Sequence, residues 1–235
     1  MSDEVKRWGI FATFALGALA LLGGQLSGLV AVRLYGFDLN QVAMLSRDGG
    51  AFILFICVSA PVQVALLLSA AGYKGNAAAY LGYKLPRRSE VVVGIAALAA
   101  LIVVGDIVSL LVGRNIVDPF QSDIYQAAQG ANLFPLLLFS ITILIPIGEE
   151  SLFRGFLFRG WLGSPRSAWP VIVLTAGLFA VIHVQYDWFL IAQVFTFGIL
   201  FGWMRWVTGS TILTMLLHGL VNLEGMLETL LTASH

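Results

Sequence analysis

The chain has 235 residues, of which 59% are hydrophobic and only 11% are Asp, Glu, Lys or Arg, and its mean hydropathy is +0.90. The 13 basic and 13 acidic side chains cancel to a formal net charge of zero, which leaves no electrostatic footprint for nucleic acid. Apolar runs of about 20 residues recur without strict alternation, so the composition predicts helices that cross a bilayer and excludes a soluble core or a membrane barrel.

The apolar run that starts at Trp8, after Met1-Ser2-Asp3-Glu4-Val5-Lys6-Arg7, continues too long for a signal peptide and is read as a retained first span, Trp8 to Leu34, rich in Gly and Ala. A polar loop, Tyr35 to Gly49, leads to a second span, Gly50 to Ala71, with Pro61 inside it. A basic loop with Lys74, Lys84, Arg87 and Arg88 precedes the third span, Ser89 to Val112, which carries Asp106. Arg114 to Gly130 is polar and reads as a surface turn or short interfacial helix. The fourth span opens near Ala131, the fifth covers Ser167 to Val184, the sixth Trp188 to Val207 and the seventh Thr211 to Leu231. The fold class expected is all-α, a polytopic transmembrane helical bundle of about seven spans, six and eight being the neighbouring counts. Residues 1–235 form a single integral membrane domain, 1–130 holding spans without a signature and 131–232 the helices with the chemistry.

Positive charge orients the bundle. With the N-terminus cytoplasmic, the inner ends hold Lys6, Arg7, Lys74, Lys84, Arg87, Arg88, Arg159, Arg166 and Arg205, and the outer loops only Arg33, Arg47 and Arg114. The tryptophans lie near span ends, as interfacial anchors do. Cys57 stands alone, which excludes an intrachain disulfide and a cysteine-based metal cage.

One stretch breaks the apolar pattern of the fourth span: Gly148-Glu149-Glu150-Ser151-Leu152-Phe153-Arg154-Gly155. Each charge at bilayer depth costs several kcal/mol or more, so such a cluster is a site hypothesis whose partners must be found. Pro146 just ahead of it removes a backbone donor and exposes carbonyls beside the site. Glu150 and Arg154 are four apart and share a helix face, whereas Glu149 is turned about 100° away. The two glutamates are therefore expected to do different work.

Two other helices supply polar groups at similar depth. By a rise of about 1.5 Å per residue, Glu149, His183 and His218 lie ~16, ~21 and ~12 Å from the cytoplasmic ends of their spans, inside a hydrocarbon core of ~30 Å. Phe179 lies over His183, and His218 over Asn222, again by the spacing of four. His235 is terminal and is set aside. The chemistry available to such a set is hydrolysis. Glu149 would act as general base on a water held with His183, and His218 and Asn222 would donate to the oxyanion. Arg154 would pair with Glu150.

At these residues the sequence resembles the CAAX protease and bacteriocin-processing family of intramembrane endopeptidases, which includes the Ras-converting CAAX proteases. The matching motifs are Glu149-Glu150-xxx-Arg154, Phe179-xxx-His183 and His218-xxx-Asn222, in order and each in an apolar span. The resemblance covers Ile147 to Asn222 and implies a glutamate-type, metal-free peptidase. It implies catalytic roles for Glu149, His183, His218 and Asn222, and supporting roles for Glu150, Arg154 and Phe179. No cofactor is expected, and the partners implied are the bilayer and a membrane-associated peptide or protein, with or without a lipid. The location expected is the bacterial inner membrane, with the endoplasmic reticulum as the alternative. Other readings of the same residues are a catalytically inactive protease-like scaffold or immunity protein, a zinc site built from two histidines and a glutamate, and a small transporter, although no internal repeat is visible. Asp106, Glu224 and Glu228 are expected to meet water towards the outer face and are left out of the site. Gln25, Gln63 and Gln193 are expected to bridge helices.

Overall fold

The computed structural model describes residues 6–233; Met1–Val5, ahead of the first span, and Ser234–His235 lie outside the described residues. Among the described residues the structure is helical, with no strand. In chain order the helices are α1 (Ile10–Tyr35), α2 (Gly49–Gly72), α3 (Ala77–Leu81), α4 (Arg88–Leu111), α5 (Pro119–Gly130), α6 (Phe134–Trp161), α7 (Ala168–Val181), α8 (Trp188–Thr208) and α9 (Thr211–Ala233). A 3₁₀ segment, Leu39–Arg47, fills the loop between α1 and α2.

The ends of these helices follow from local chemistry. Asp48, Asp118 and Asp187 stand one residue ahead of α2, α5 and α8, and their carboxylates accept the free N–H groups of Ala51, of Phe120, and of Phe189 with Leu190. Gly36 and Gly209 end α1 and α8 in the left-handed conformation.

All seven expected apolar segments are helical, and five of the helices, α1, α2, α4, α6 and α8, are long and apolar enough to cross a membrane. The other two differ from expectation. α7 has only 14 residues and stops at Val181, so that His183 lies in the turn beyond it. α9 has 23 residues but carries His218, Asn222, Glu224 and Glu228, and is not among the five. The basic loop is also more structured than expected, because α3 folds inside it with Tyr80 and Leu81 fully buried.

The buried positions of α1 form one stripe, on which Gly24 and Gly28 face Ser59, Gln63 and Phe55 of α2, while Thr13 and Gly17 face Gly160, Leu152 and Leu157 of α6. At Gly24 a Cβ would lie 2.6 Å from the Ser59 carbonyl oxygen, so the two backbones touch only because the side chain is missing.

α6 is the axis of the bundle. Every residue from Ser151 to Phe158 is buried, the pattern of a helix surrounded by others. One face joins α1, α2, α3 and α7 through Leu152, Phe153, Phe156 and Leu157 against Leu67, Tyr80, Leu81 and Phe179. Its first half joins α2, α5 and α9 through Leu137 and Ile141 against Ile53, Ile56, Ile124 and Met226. A third cluster, Leu98, Phe201, Met204, Leu213 and Leu217, ties α4 to α8 and α9.

Candidate active site

α6 is not uniform along its length. Ser140–Leu144 and Ser151–Leu157 are π-helical and flank the α-helical turn Ile145–Glu150 that holds both glutamates. Such wide turns leave carbonyls without their ordinary partners and gather at functional sites. The first one explains the position of Asn222. Within it Ile145 N–H donates to Ser140 O, five residues back, so Ile141 O would next be served by residue 146. That residue is Pro146, which has no N–H. Asn222 Nδ2 of α9 donates to Ile141 O instead, at 2.8 Å. The exposed carbonyl expected from Pro146 is thus the one that orients Asn222, whose second amide hydrogen is left for another acceptor.

The two glutamates separate as their angular offset requires. Glu150 is fully buried and accepts from Arg154 Nη1 at 3.0 Å, in an ion pair with no exposed side-chain area on either partner. Arg154 Nη2 also donates to Gly198 O of α8 at 3.0 Å, and the guanidinium lies over the rings of Phe179 and Phe201, 4.5 and 5.5 Å from their centroids. Glu149 faces the other way, with 25% of its side chain exposed. Its Oε2 is enclosed without a hydrogen-bond partner among the described residues, and lies 3.9 Å from His218 Nε2.

Both histidines have one ring nitrogen committed. His183 Nδ1 donates to the Phe179 carbonyl at 2.7 Å, closing the end of α7 as a C-terminal cap. A carbonyl only accepts, so the hydrogen is on Nδ1 and the lone pair of the neutral ring is on Nε2. His218 Nδ1 donates to Glu150 Oε1 at 3.1 Å, and so presents Nε2 to Glu149. Phe179 sets both rings, edge-on to His183 at 4.8 Å and to His218 at 5.6 Å. Phe201 stacks on His218, and Tyr186 on His183, at 5.7 and 5.9 Å between centroids.

A cavity of about 470 Å³ is lined by Glu149, His183, His218 and Asn222 together. Its remaining wall is largely apolar and comes from α1, α2, α5 and α6, with Leu21, Phe52, Phe55, Ile56, Ile124 and Ile145 among its residues. A second cavity, of about 150 Å³, shares His183, Tyr186, His218 and Asn222 with the first and extends between α4, α8 and α9. All seven residues singled out from the sequence therefore lie in one connected region.

Three features of this region differ from the sequence reading or lie outside it. Asp106, Glu224 and Glu228, expected to meet water separately, gather with ligand atoms within 4.8 Å of one another, half-buried in the wall of the smaller cavity. Glu149, His183 and His218 do not form such a group among the described residues. Tyr186 was missed, since a tyrosine in a connecting turn carries no signal of a stacked histidine. Two of the three expected helix bridges form: Gln193 Nε2 donates to Ser109 Oγ at 3.1 Å, and Gln63 Nε2 to Gly148 O at 2.9 Å, whereas Gln25 borders the larger cavity.

Residues 131–223 match the model of the family described as type II CAAX prenyl endopeptidase, Rce1-like. No curated protein and no solved structure matches the chain. The matched stretch contains all three motifs, so the likeness to CAAX proteases read from them is shown for that part of the chain.

Proposed function

We propose that this chain, an integral membrane protein matched to CAAX prenyl endopeptidases over residues 131–223, is an intramembrane peptidase of the glutamate type. The observation that carries the reading is the cavity into which Glu149, His183, His218 and Asn222 all open, from three separate segments of the chain. Water in it is held by His183 Nε2, which accepts one of its hydrogens. The Glu149 carboxylate takes the other hydrogen as the water oxygen bonds to the scissile carbonyl carbon. The oxyanion so formed receives the second Asn222 amide hydrogen and an N–H from His218 Nε2. His218 Nδ1 stays with Glu150, so that donation is made by a ring carrying both hydrogens, with Glu150 and Glu149 on either side of it. When the C–N bond breaks, the leaving nitrogen takes the proton from Glu149, and a carboxylic acid and an amine depart.

The substrate is a membrane-associated peptide or protein, and the apolar wall of the larger cavity suits a chain delivered from the bilayer. The N-terminus is cytoplasmic, on the charge bias of the loops, and the membrane is a bacterial inner membrane. Neither a metal nor another cofactor has a part in the reaction.

The test is cleavage of prenylated and unmodified membrane-proximal peptides by the protein purified in detergent. Glu149→Gln keeps the shape and removes the base, and is expected to lower kcat by about 100- to 10,000-fold, the usual worth of general base catalysis. Cleavage should persist in a zinc chelator. Normal turnover by Glu149→Gln overturns the glutamate mechanism, loss on chelation moves the site to zinc, and wild-type protein that cleaves nothing favours a scaffold.

A further inference from the structure

The carbonyls of α6 around the glutamates are held by donors from outside that helix's own backbone. Asn222 of α9 takes Ile141 O, the Ser151 hydroxyl takes Ile147 O while touching the Tyr83 hydroxyl at 2.6 Å, and Arg205 Nε of α8 takes Arg154 O at 2.9 Å. The fourth is Gln63 of α2, whose Nε2 donates to Gly148 O at 2.9 Å. Gln63 is 5% exposed, borders the larger cavity and lies outside residues 131–223. Because a carbonyl oxygen only accepts, the amide can be oriented in one way alone.

We propose that Gln63 is a positioning residue for Glu149. Gly148 O and the N and Cα of Glu149 belong to one planar peptide unit, so holding the oxygen fixes the plane from which the Glu149 side chain departs. That carbonyl already receives the Ser151 backbone N–H. The bond from Gln63 is a second one, which the carbonyl does not need in order to be satisfied, and its effect is on direction more than on stability. The packing agrees: a Cβ at Gly148 would lie 3.3 Å from Ala60 Cβ, so α2 presses on this turn one helical turn from where Gln63 grips it. On the α9 side Glu149 has only the 3.9 Å approach to His218, too long to hold it.

The inference rests on the peptidase reading for its kinetic test and on geometry alone for its spectroscopic one. Gln63→Leu removes the donor and keeps most of the volume; kcat is expected to fall about 10- to 100-fold, with KM within about twofold and the thermal midpoint little changed, as a misplaced catalytic group requires. Gln63→Glu can donate to Gly148 O only while its carboxyl is protonated. Its activity relative to wild type is therefore expected to rise as pH falls, which a merely structural role would not produce. In parallel, the carboxylate infrared band of Glu149, identified by difference against Glu149→Gln, is expected to move in Gln63→Leu without any substrate. Wild-type kcat in Gln63→Leu, or a kcat loss that only follows the amount of folded protein, overturns the proposal. If no peptide is cleaved by the wild type, the peptidase reading fails, and the band decides alone: a shift supports positioning and an unmoved band overturns it.

Discussion

Arg154→Met isolates the contribution of the buried pair, since methionine keeps the unbranched shape beside Phe179 and Phe201 and removes the charge. In the wild type Arg154 and Glu150 are both without exposed side-chain area and 3.0 Å apart, and the same guanidinium serves Gly198 O. The variant leaves a buried carboxylate without its cation, although His218 still donates to it, together with a carbonyl that has lost a donor. Breaking a buried pair in this way costs about 3–5 kcal/mol. Glu150→Gln tests the other half: it discharges the carboxyl and leaves the cation. In the double variant neither charge is stranded, so the two losses should fall short of adding by about 2 kcal/mol, within the range of measured couplings between contacting residues. Tryptophan fluorescence during unfolding in mixed detergent micelles reads all four proteins. A loss below about 1 kcal/mol in Arg154→Met, or strictly additive losses, would refute the view that the charges depend on each other, because no mutual compensation of buried charge could then exist.

Gly219→Ala should be costly for its size. A Cβ there collides with the Thr142 carbonyl of the first π-helical segment, and backbone cannot swing aside as a side chain can. We expect a loss of about 1–3 kcal/mol, as for other overpacked sites, with a fall in kcat because His218 and Asn222 ride on the displaced α9; wild-type melting and turnover would refute the close α6–α9 crossing. Stability at acid pH should depend on Asp187, whose carboxyl is held below the usual range by the Leu190 N–H and by Arg114. A lowered carboxyl value means stability present above the unfolded value of about 3.9 and lost as pH falls through the folded one. Asp187→Ala should therefore flatten the acid limb of a melting-temperature profile, and an unchanged profile would deny this cap its role.

Much of the bundle was legible because a span announces itself locally. The ends of α2, α4, α8 and α9 fall within a residue or two of the apolar boundaries, where the aspartates and glycines also lie. The site was legible for a related reason. A carboxylate or imidazole at bilayer depth is so unfavourable that its mere presence marks it, and the spacing of four fixes which of its neighbours share a face. What the sequence hid is what depends on partners far along the chain. Nothing near Gln63 points to a carbonyl 85 residues away, and Asp106 gives no hint of Glu224 and Glu228 on another helix. The π-helical turns were hidden too, because they carry no composition of their own. Only Pro146 hinted at one, by withholding the N–H that Ile141 lacks.

The Glu-Glu pair makes the same point about chemistry. Two identical side chains, adjacent in sequence, differ because the helix turns about 100° between them. Glu150 is directed at Arg154 and His218, and each of these neighbours has a second commitment: Arg154 to Gly198, His218 to the cavity through Nε2. A carboxylate so placed cannot leave or turn without disturbing three helices, which suits it to hold the His218 ring in one orientation. Glu149 has the opposite surroundings, an open cavity, a free oxygen and one distant imidazole. Its carboxylate is free to take and return a proton, but its own chain must then be aimed from behind. The Gly148 carbonyl is the handle nearest to that chain, and it is gripped from α2. A base that is mobile at its tip and fixed at its root needs support from the part of the chain where no motif is written.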